Sequence, residues 1–202
     1  MNTLVDIFTI DCIAINSFAR NKAEAFAIAG DLFEKRLGIP SSSVVHALNA
    51  REDLSSTALS SGVAIPHGIV AGIDLPAGCL IKLAGAIDFA APDENKISIL
   101  IFLLFPKITT HEHLQILSSL AQRLLDVGIR KTLIPEQCPE KICQLLNLAI
   151  DFKDSPQIQG LHIDFKQSIP SSNEYIISYL AEWAMLEVSR KKYKKRAHQS
   201  RH

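Results

Sequence analysis

The chain has 202 residues, and its composition, 48% hydrophobic and 21% charged, is typical of a globular protein able to bury a sizeable core. Its 21 basic and 21 acidic residues cancel, which argues against a domain that binds nucleic acid through its whole surface. No apolar run reaches the roughly 18 residues of a membrane span, and the N-terminus lacks the features of a secretion signal. The four cysteines form no Cys-x-x-Cys pair, which predicts reduced, structural thiols and a cytoplasmic protein.

One strand and two helices are predicted in the first quarter of the chain. Residues 10–15 alternate weakly between apolar and polar side chains, which predicts an edge strand. The alanine-rich stretch 21–37 has helical periodicity, and the glycine that follows ends it. A second helix is predicted over 41–51, so Arg51 is expected at a helix C-terminus.

A short apolar run then leads to a histidine. Residues 63–65 are too few for a helix and lie between Gly62 and Pro66, which predicts a short strand. Because Pro66 has no N–H to donate to a neighbouring strand, we expect the chain to leave the sheet there. This places His67 at the mouth of a strand-to-loop turn, where imidazole can act as base, metal ligand or nucleophile.

Two more strands and a capped helix are predicted in the middle of the chain. The runs 79–84 and 97–105 have the length and composition of strands, and the second is apolar on both faces, as in a central strand. Residues 92–95 form a turn between them. Thr109 and Glu112 then fit a capping box that opens a helix.

The helix after this capping box carries a second candidate histidine. Helical spacing places His113 on one face with three leucines, namely Leu117, Leu120 and Leu124. Its side chain should therefore point inward. Helical patterns at 129–134 and 139–150 complete a domain over 1–150. Helices interleaved with strands predict an α/β fold in which a mixed central sheet is covered by helices on both faces.

Residues 151–202 differ from the rest in composition. A polar linker leads to a predicted amphipathic helix from Glu174 to about Lys195, a C-terminal helical extension of the domain. The last fourteen residues hold seven Lys or Arg and no acid. A solvated helix end explains this charge, but it also leaves open an interaction module that binds a kinase, transporter or nucleic acid through its basic tail.

A set of residues around His67 has a recognisable spacing. It consists of Arg51, Ser56, Thr57, Gly62 and the run Ala64-Ile-Pro-His67-Gly68. This pattern resembles the active-site signature of the enzyme IIA domains of the fructose/mannitol class in the bacterial phosphotransferase system, including the nitrogen-related branch. A second element of that family, a histidine in the first turn of a leucine-rich helix after a strand and a proline, matches His113. The resemblance covers roughly residues 1–150.

The resemblance implies a phosphohistidine protein. His67 would accept a phosphoryl group as tele-phosphohistidine from the phosphocarrier HPr or its nitrogen-branch paralogue, and His113 would assist without being modified. Phosphoryl transfer depends mostly on in-line positioning and on electrostatic stabilisation of the phosphate oxygens. Arg51 would stabilise the phosphate, and the hydroxyls of Ser56 and Thr57 are further candidates. Ser56 and Thr57 could equally cap a turn, and Arg51 could equally compensate a helix dipole or pair with Glu52 or Asp53.

Several alternatives remain open within and outside this family. We expect no fused IIB or IIC portion, which favours a regulatory, nitrogen-related component acting on a kinase or transporter over a relay to a IIB protein for sugar uptake. The sugar, the regulated partner and the oligomeric state stay open. No cofactor is expected. A zinc site of His67, His111 and His113 is disfavoured because His-x-His on a helix points the two rings apart, so His111 is interpreted as a solvated neighbour. A serine hydrolase is disfavoured because the chain has no G-x-S-x-G motif.

Overall fold

The computed structural model describes residues 7–107, 111–124 and 126–149, which form one six-stranded mixed sheet with helices on both faces. The strands are β1 (Phe8–Ser17), β2 (Ala58–Ser60), β3 (Val63–Ala64), β4 (His67–Val70), β5 (Ala77–Ile87) and β6 (Ile97–Pro106). The helices are α1 (Lys22–Leu37), α2 (Ser41–Glu52), α3 (His111–Leu124), α4 (Val127–Leu133) and α5 (Pro139–Ala149). The predicted fold class is confirmed.

The sheet is built around β6, as its apolar sequence predicts. Its order is β1-β5-β6-β3-β2, and β4 also pairs with β6. β5 runs antiparallel to β6, whereas β3 and β4 run parallel to it, one after the other. β1 lies at one edge, as predicted, and runs parallel to β5. β2 and β3 form a hairpin whose turn residues, Ser61 and Gly62, have φ of 58° and 83°, the left-handed backbone typical of a tight hairpin.

Two hydrophobic cores lie on opposite faces of β6 because successive side chains of a strand project to opposite sides. On one face the α1 and α2 residues Phe26, Phe33 and Leu48 pack against alternate β6 side chains. On the other face, side chains from α3, α4 and α5 pack against the β6 residues between them. The alternate β6 residues are Leu100, Phe102 and Leu104 on the first face, and Ile99, Ile101, Leu103 and Phe105 on the second.

Helices α1 and α2 end where the sequence predicts. The Asn21 side chain accepts from Glu24 N–H at the start of α1, and Gly38, with φ of 71°, ends the helix. Arg51 lies in the last turn of α2, as predicted. In α3, His113 is buried on the face that carries its three leucines, which confirms the inward orientation.

The predicted position of His67 is wrong in one respect. His67 lies in a strand, β4, rather than in a loop, because pairing with β6 resumes after Pro66. Pro66 lacks an N–H, but its carbonyl still accepts a hydrogen bond from Leu103 N–H at 3.0 Å. The chain therefore stays beside β6, and His67 takes a defined register opposite Leu103.

Two predictions fall outside the described residues: the capping box at Thr109 and Glu112, whose side chains are not described, and the whole of 151–202. The division into a domain over 1–150 and an extension thus stays a prediction. Among the residues that are described, no helix is both long and apolar enough to cross a membrane. All four cysteines are free thiols.

Candidate active site

Helix α2 and strand β4 meet without an intervening side chain. A Cβ atom on Gly68 would lie 2.9 Å from both the carbonyl carbon and the oxygen of Ala47, closer than real Cβ atoms approach a backbone. Glycine thus permits the close approach of α2 to β4. This contact brings the last turn of α2, with Arg51, to the start of β4, with His67.

Arg51 and His67 form a hydrogen bond that fixes the tautomer of the imidazole. Arg51 Nε lies 3.0 Å from His67 Nε2, and His67 Nδ1 lies 2.9 Å from the carbonyl oxygen of Ile65. A guanidinium is always protonated and can only donate, so Nε2 must accept. Nδ1 therefore carries the proton and donates it to Ile65. The lone pair of this imidazole lies on Nε2.

The imidazole is also held in its neutral form. Only 3% of His67 is exposed to solvent. Burial and then the nearby positive charge of Arg51 lower the pKa of His67 to about 3, against the opposing effect of the hydrogen bond to Ile65. At neutral pH His67 is a neutral base whose free electron pair points at a cation.

Arg51 is anchored on its other side by the loop that follows α2. It is 7% exposed, and its Nη1 donates to Ser55 O at 3.0 Å and approaches Ser55 Oγ at 3.4 Å. Its charge also lies at the C-terminal end of α2, where helix carbonyls favour a cation. The two interpretations of Arg51, site residue and helix-end charge, are thus compatible.

His113 lies against the same end of β6. It is 2% exposed, and its ring centroid lies 4.6 Å from that of Phe105. The β4–β6 register pairs His67 with Leu103, two residues before Phe105, and residues two apart in a strand project from the same face. The two histidines therefore belong to the same face of the sheet, the face covered by α3.

The hydroxyls of Ser56 and Thr57 contact other groups in this structure. Ser56 Oγ donates to Phe89 O at 2.8 Å and accepts from Ala58 N–H at 3.3 Å. Thr57 Oγ1 donates to Glu52 Oε2 at 2.5 Å, and Thr57 N–H donates to the same oxygen at 3.0 Å. The contact of Ser56 with Ala58 N–H matches the turn-capping interpretation, whereas the hydroxyl of Thr57 binds the Glu52 carboxylate instead. A phosphate-binding role for either residue stays a prediction. The side chain of His111 lies outside the described part of the chain.

Sequence reasoning named Glu52 only as a possible partner of Arg51, and it missed Ser55. Glu52 accepts from Thr57 and forms an ion pair of 2.6 Å with Lys22. Ser55 supplies the carbonyl that holds Arg51. The one available signal was a glutamate in the last turn of a helix, where the helix dipole disfavours a negative charge. No pattern identifies Ser55, because its role rests on its backbone oxygen.

The arrangement suits a nucleophile that receives an anion. A neutral imidazole presents its lone pair beside a guanidinium, and the guanidinium can hold the oxygens of the incoming group. The same guanidinium opposes a metal ion at Nε2. Within 7–107, 111–124 and 126–149 no group of three histidine, cysteine, aspartate or glutamate side chains could hold a metal. Fold and site together have the chemistry that a histidine-based acceptor of an anionic group requires.

Comparison with known proteins identifies the family of the chain. A model described as "Phosphoenolpyruvate-dependent sugar phosphotransferase system, EIIA 2" matches residues 6–149. The chain belongs to this family, which confirms the resemblance drawn from its sequence. Members are phosphotransfer components, and that general role extends to this chain.

Individual relatives include regulatory and sugar-specific proteins. The chain is 33% identical to a nitrogen regulatory protein of Klebsiella oxytoca over 147 residues, 72% of this chain and 91% of that protein. It is 29% identical to a mannitol-specific phosphotransferase enzyme IIA component of Geobacillus stearothermophilus over 143 residues, 67% of this chain and 91% of that protein. The solved structure of nitrogen regulatory protein IIA-Ntr from Neisseria meningitidis superposes with a TM-score of 0.66 at 35% identity, covering 69% of this chain and 96% of that one.

Proposed function

We propose that the chain is a regulatory IIA component of the phosphotransferase system that accepts a phosphoryl group on His67 Nε2. The donor is the phosphocarrier HPr or its nitrogen-branch paralogue, and the compartment is the cytoplasm. One observation carries the proposal: Nδ1 of His67 is bound to a backbone carbonyl while Nε2 keeps its lone pair beside Arg51. The identity to nitrogen regulatory proteins supports the regulatory branch.

The transfer step follows from this geometry. The lone pair of His67 Nε2 attacks phosphorus, an N–P bond forms, and the bond from phosphorus to the donor breaks with its electron pair leaving on the donor. This attack requires Arg51 Nε–H to release Nε2, because the electron pair that forms the N–P bond is the pair that accepts this hydrogen bond. The guanidinium N–H groups then donate to the oxygens of the incoming phosphoryl group. They stabilise its negative charge in a buried site with little water.

The proton on Nδ1 need not move during this cycle. Ile65 O keeps accepting it after Nε2 is phosphorylated, so the modified ring carries a positive charge next to a dianionic phosphoryl group. When the phosphoryl group departs, the ring leaves as the neutral Nδ1–H imidazole from which it began. A carrier with no proton transfer in either direction is suited to reversible transfer.

His113 and the hydroxyl groups are proposed as accessory residues. His113 lies on the face of the sheet to which His67 belongs, in the first turn of α3, where helix N–H groups favour an anion. Ser56 and Thr57 would have to exchange their present acceptors for phosphate oxygens. A second candidate function, relay of the group to a IIB protein for sugar uptake, is supported by the identity to the mannitol-specific IIA component.

The first prediction concerns the site of labelling. Incubation of the full chain with enzyme I, HPr or its paralogue, and phosphoenolpyruvate should add one acid-labile phosphoryl group, measured by intact mass. The gain should vanish in His67→Ala, because that variant lacks the ring nitrogen that Arg51 holds, and persist in the matched variant His111→Ala. His113→Ala should slow labelling without moving it. Labelling that survives His67→Ala, or no labelling with either donor, contradicts the proposal.

A further inference from the structure

Glu52 is a buried carboxylate, and each of its two oxygens has a hydrogen-bond or ion-pair partner. Its side chain is 7% exposed. Oε1 lies 2.6 Å from Lys22 Nζ, and Oε2 accepts from both N–H and Oγ1–H of Thr57, at 3.0 and 2.5 Å. Even a buried carboxylate that is paired adds little net stability, because its desolvation offsets the attraction of its partners, and the end of a helix adds an unfavourable dipole. Maximum stability alone does not explain a carboxylate at this place.

We propose that Glu52 is a positioning residue for the phosphoryl acceptor, acting through the loop between α2 and β2. By binding Thr57, Glu52 closes the loop 52–57 and fixes Ser55 within it. Ser55 O then holds Arg51, whose Nε holds Nε2 of His67. The inference deepens the proposed function and rests on it for the transfer step, but not for the geometry.

The loop is pinned at both ends. At its start, Leu54 N–H donates to Arg51 O at 3.3 Å. At its end, two donors of Thr57 converge on one carboxylate oxygen. Ser55 lies between these anchors, so the position of its carbonyl follows from theirs. Loss of the second anchor would free the carbonyl that orients Arg51.

The second carboxylate oxygen of Glu52, Oε1, connects the loop to the hydrophobic core through Lys22. Lys22 Nζ, the partner of Oε1, also lies 4.3 Å from the ring centroid of Phe89. Phe89 is fully buried and packs against Phe26, with ring centroids 6.2 Å apart. Ser56 Oγ donates to the carbonyl of Phe89. The clasp, defined as Lys22, Glu52 and Thr57, is therefore fixed to the α1 side of the domain.

The chemistry requires a carboxylate of this length. A glutamine amide has one acceptor oxygen and one donor nitrogen, so its nitrogen must face either the ammonium of Lys22 or the donors of Thr57. Either choice sets donor against donor and opens one arm of the clasp. Aspartate is one methylene shorter, so we expect it to lose one of the two partners.

The test compares Glu52→Gln with the matched control Glu136→Gln. Like Glu52 Oε2, Glu136 Oε1 accepts two hydrogen bonds, here from the backbone N–H groups of Gln137 and Cys138 at 3.0 Å each. It lies beside Lys82, at the level of Ile99 rather than of the His67 register. The first readout is the ¹⁵N spectrum of the His67 ring in the full, unphosphorylated chain, which separates the tautomers without any transfer reaction. The second is the rate of phosphorylation by the phosphocarrier.

We expect wild type and Glu136→Gln to show a single Nδ1–H tautomer. Glu52→Gln should show a mixture of tautomers and a phosphorylation rate lower by about tenfold or more, the size of effect seen when a group that orients a functional side chain is removed. An unchanged tautomer in folded Glu52→Gln overturns the inference, even if the rate falls. A wild-type chain that takes no phosphate contradicts the proposed function, while the spectrum still decides the role of Glu52.

A second variant covers the case in which Glu52→Gln does not fold. Lys22→Met removes one arm of the clasp but keeps an apolar side chain near Phe89. It should shift the tautomer in the same direction by a smaller amount. A single Nδ1–H tautomer in Lys22→Met, in the absence of a folded Glu52→Gln, overturns the inference.

Discussion

Two effects act in the same direction on the imidazole of His67. Burial disfavours its cation, and Arg51 repels a proton from Nε2. The result is a base that stays neutral, with one tautomer, across the physiological range. A buried neutral histidine is ordinarily a structural residue, but here the lone pair points at the guanidinium that an incoming phosphate needs.

The lowered pKa makes stability depend on pH. Between the unfolded value near 6.5 and the folded value of about 3, the unfolded chain binds a proton at His67 that the native chain does not. The contribution of His67 is therefore complete above about pH 6.5 and falls by about 1.4 kcal/mol per pH unit below it.

Urea unfolding of wild type and His67→Gln measures this contribution, since the other titrating groups are common to both. The wild-type free energy of unfolding should fall more steeply between about pH 6 and about pH 4.5, by the stated slope. Parallel pH profiles would show that His67 titrates normally in the native state.

At the scale of elements, the site depends on how closely α2 packs on β4. Gly68 is the point of contact, and its position fixes the distance between the last turn of α2 and the first residue of β4. Arg51 and His67 come from different elements, 16 positions apart. Their hydrogen bond therefore reports on the packing of a helix against a strand.

Gly68→Ala should disrupt this packing. Its Cβ would meet the backbone of Ala47, which cannot rotate away, so α2 must shift. We expect a loss of about 1–3 kcal/mol of stability, typical of overpacking, together with slower phosphorylation.

The matched control is Gly85→Ala, where an added Cβ has no atom within 4 Å. Thermal unfolding and the labelling rate are measured for both variants. If Gly68→Ala behaves like Gly85→Ala in both, the close approach of α2 does not set the site.

The sequence predicts an element well when the element depends on its own residues, and poorly when it depends on a neighbour in the fold. β6 was predictable because it is apolar on both faces, and α1 because Asn21 and Gly38 mark its ends. β4 was not predictable, because Pro66 taken by itself indicates the end of a strand. The strand forms because residues 67–70 pair with the neighbouring β6. For the same reason the sequence named Arg51 as a candidate but gave neither its bond to Nε2 nor the clasp that holds it, because both arise only from packing.

At the scale of the described domain, the proposed site draws on both faces of the sheet. The face with α1 and α2 supplies Arg51 and the clasp, and the face with α3 supplies His113. His67, on a strand outside the main path of the sheet, is positioned by both. Every described group in the proposed mechanism lies within 6–149, the residues matched by the family model.

The central claim is that the fold presents Nε2 of His67, and only that nitrogen, to the donor. The most direct measurement is NMR of the ¹⁵N-labelled, phosphorylated chain, in which coupling of ³¹P to a ring nitrogen identifies the modified atom. We predict phosphorus on Nε2 of His67, with Nδ1 still bonded to a proton held by Ile65 O. Phosphorus on Nδ1, or on another histidine, would contradict the account.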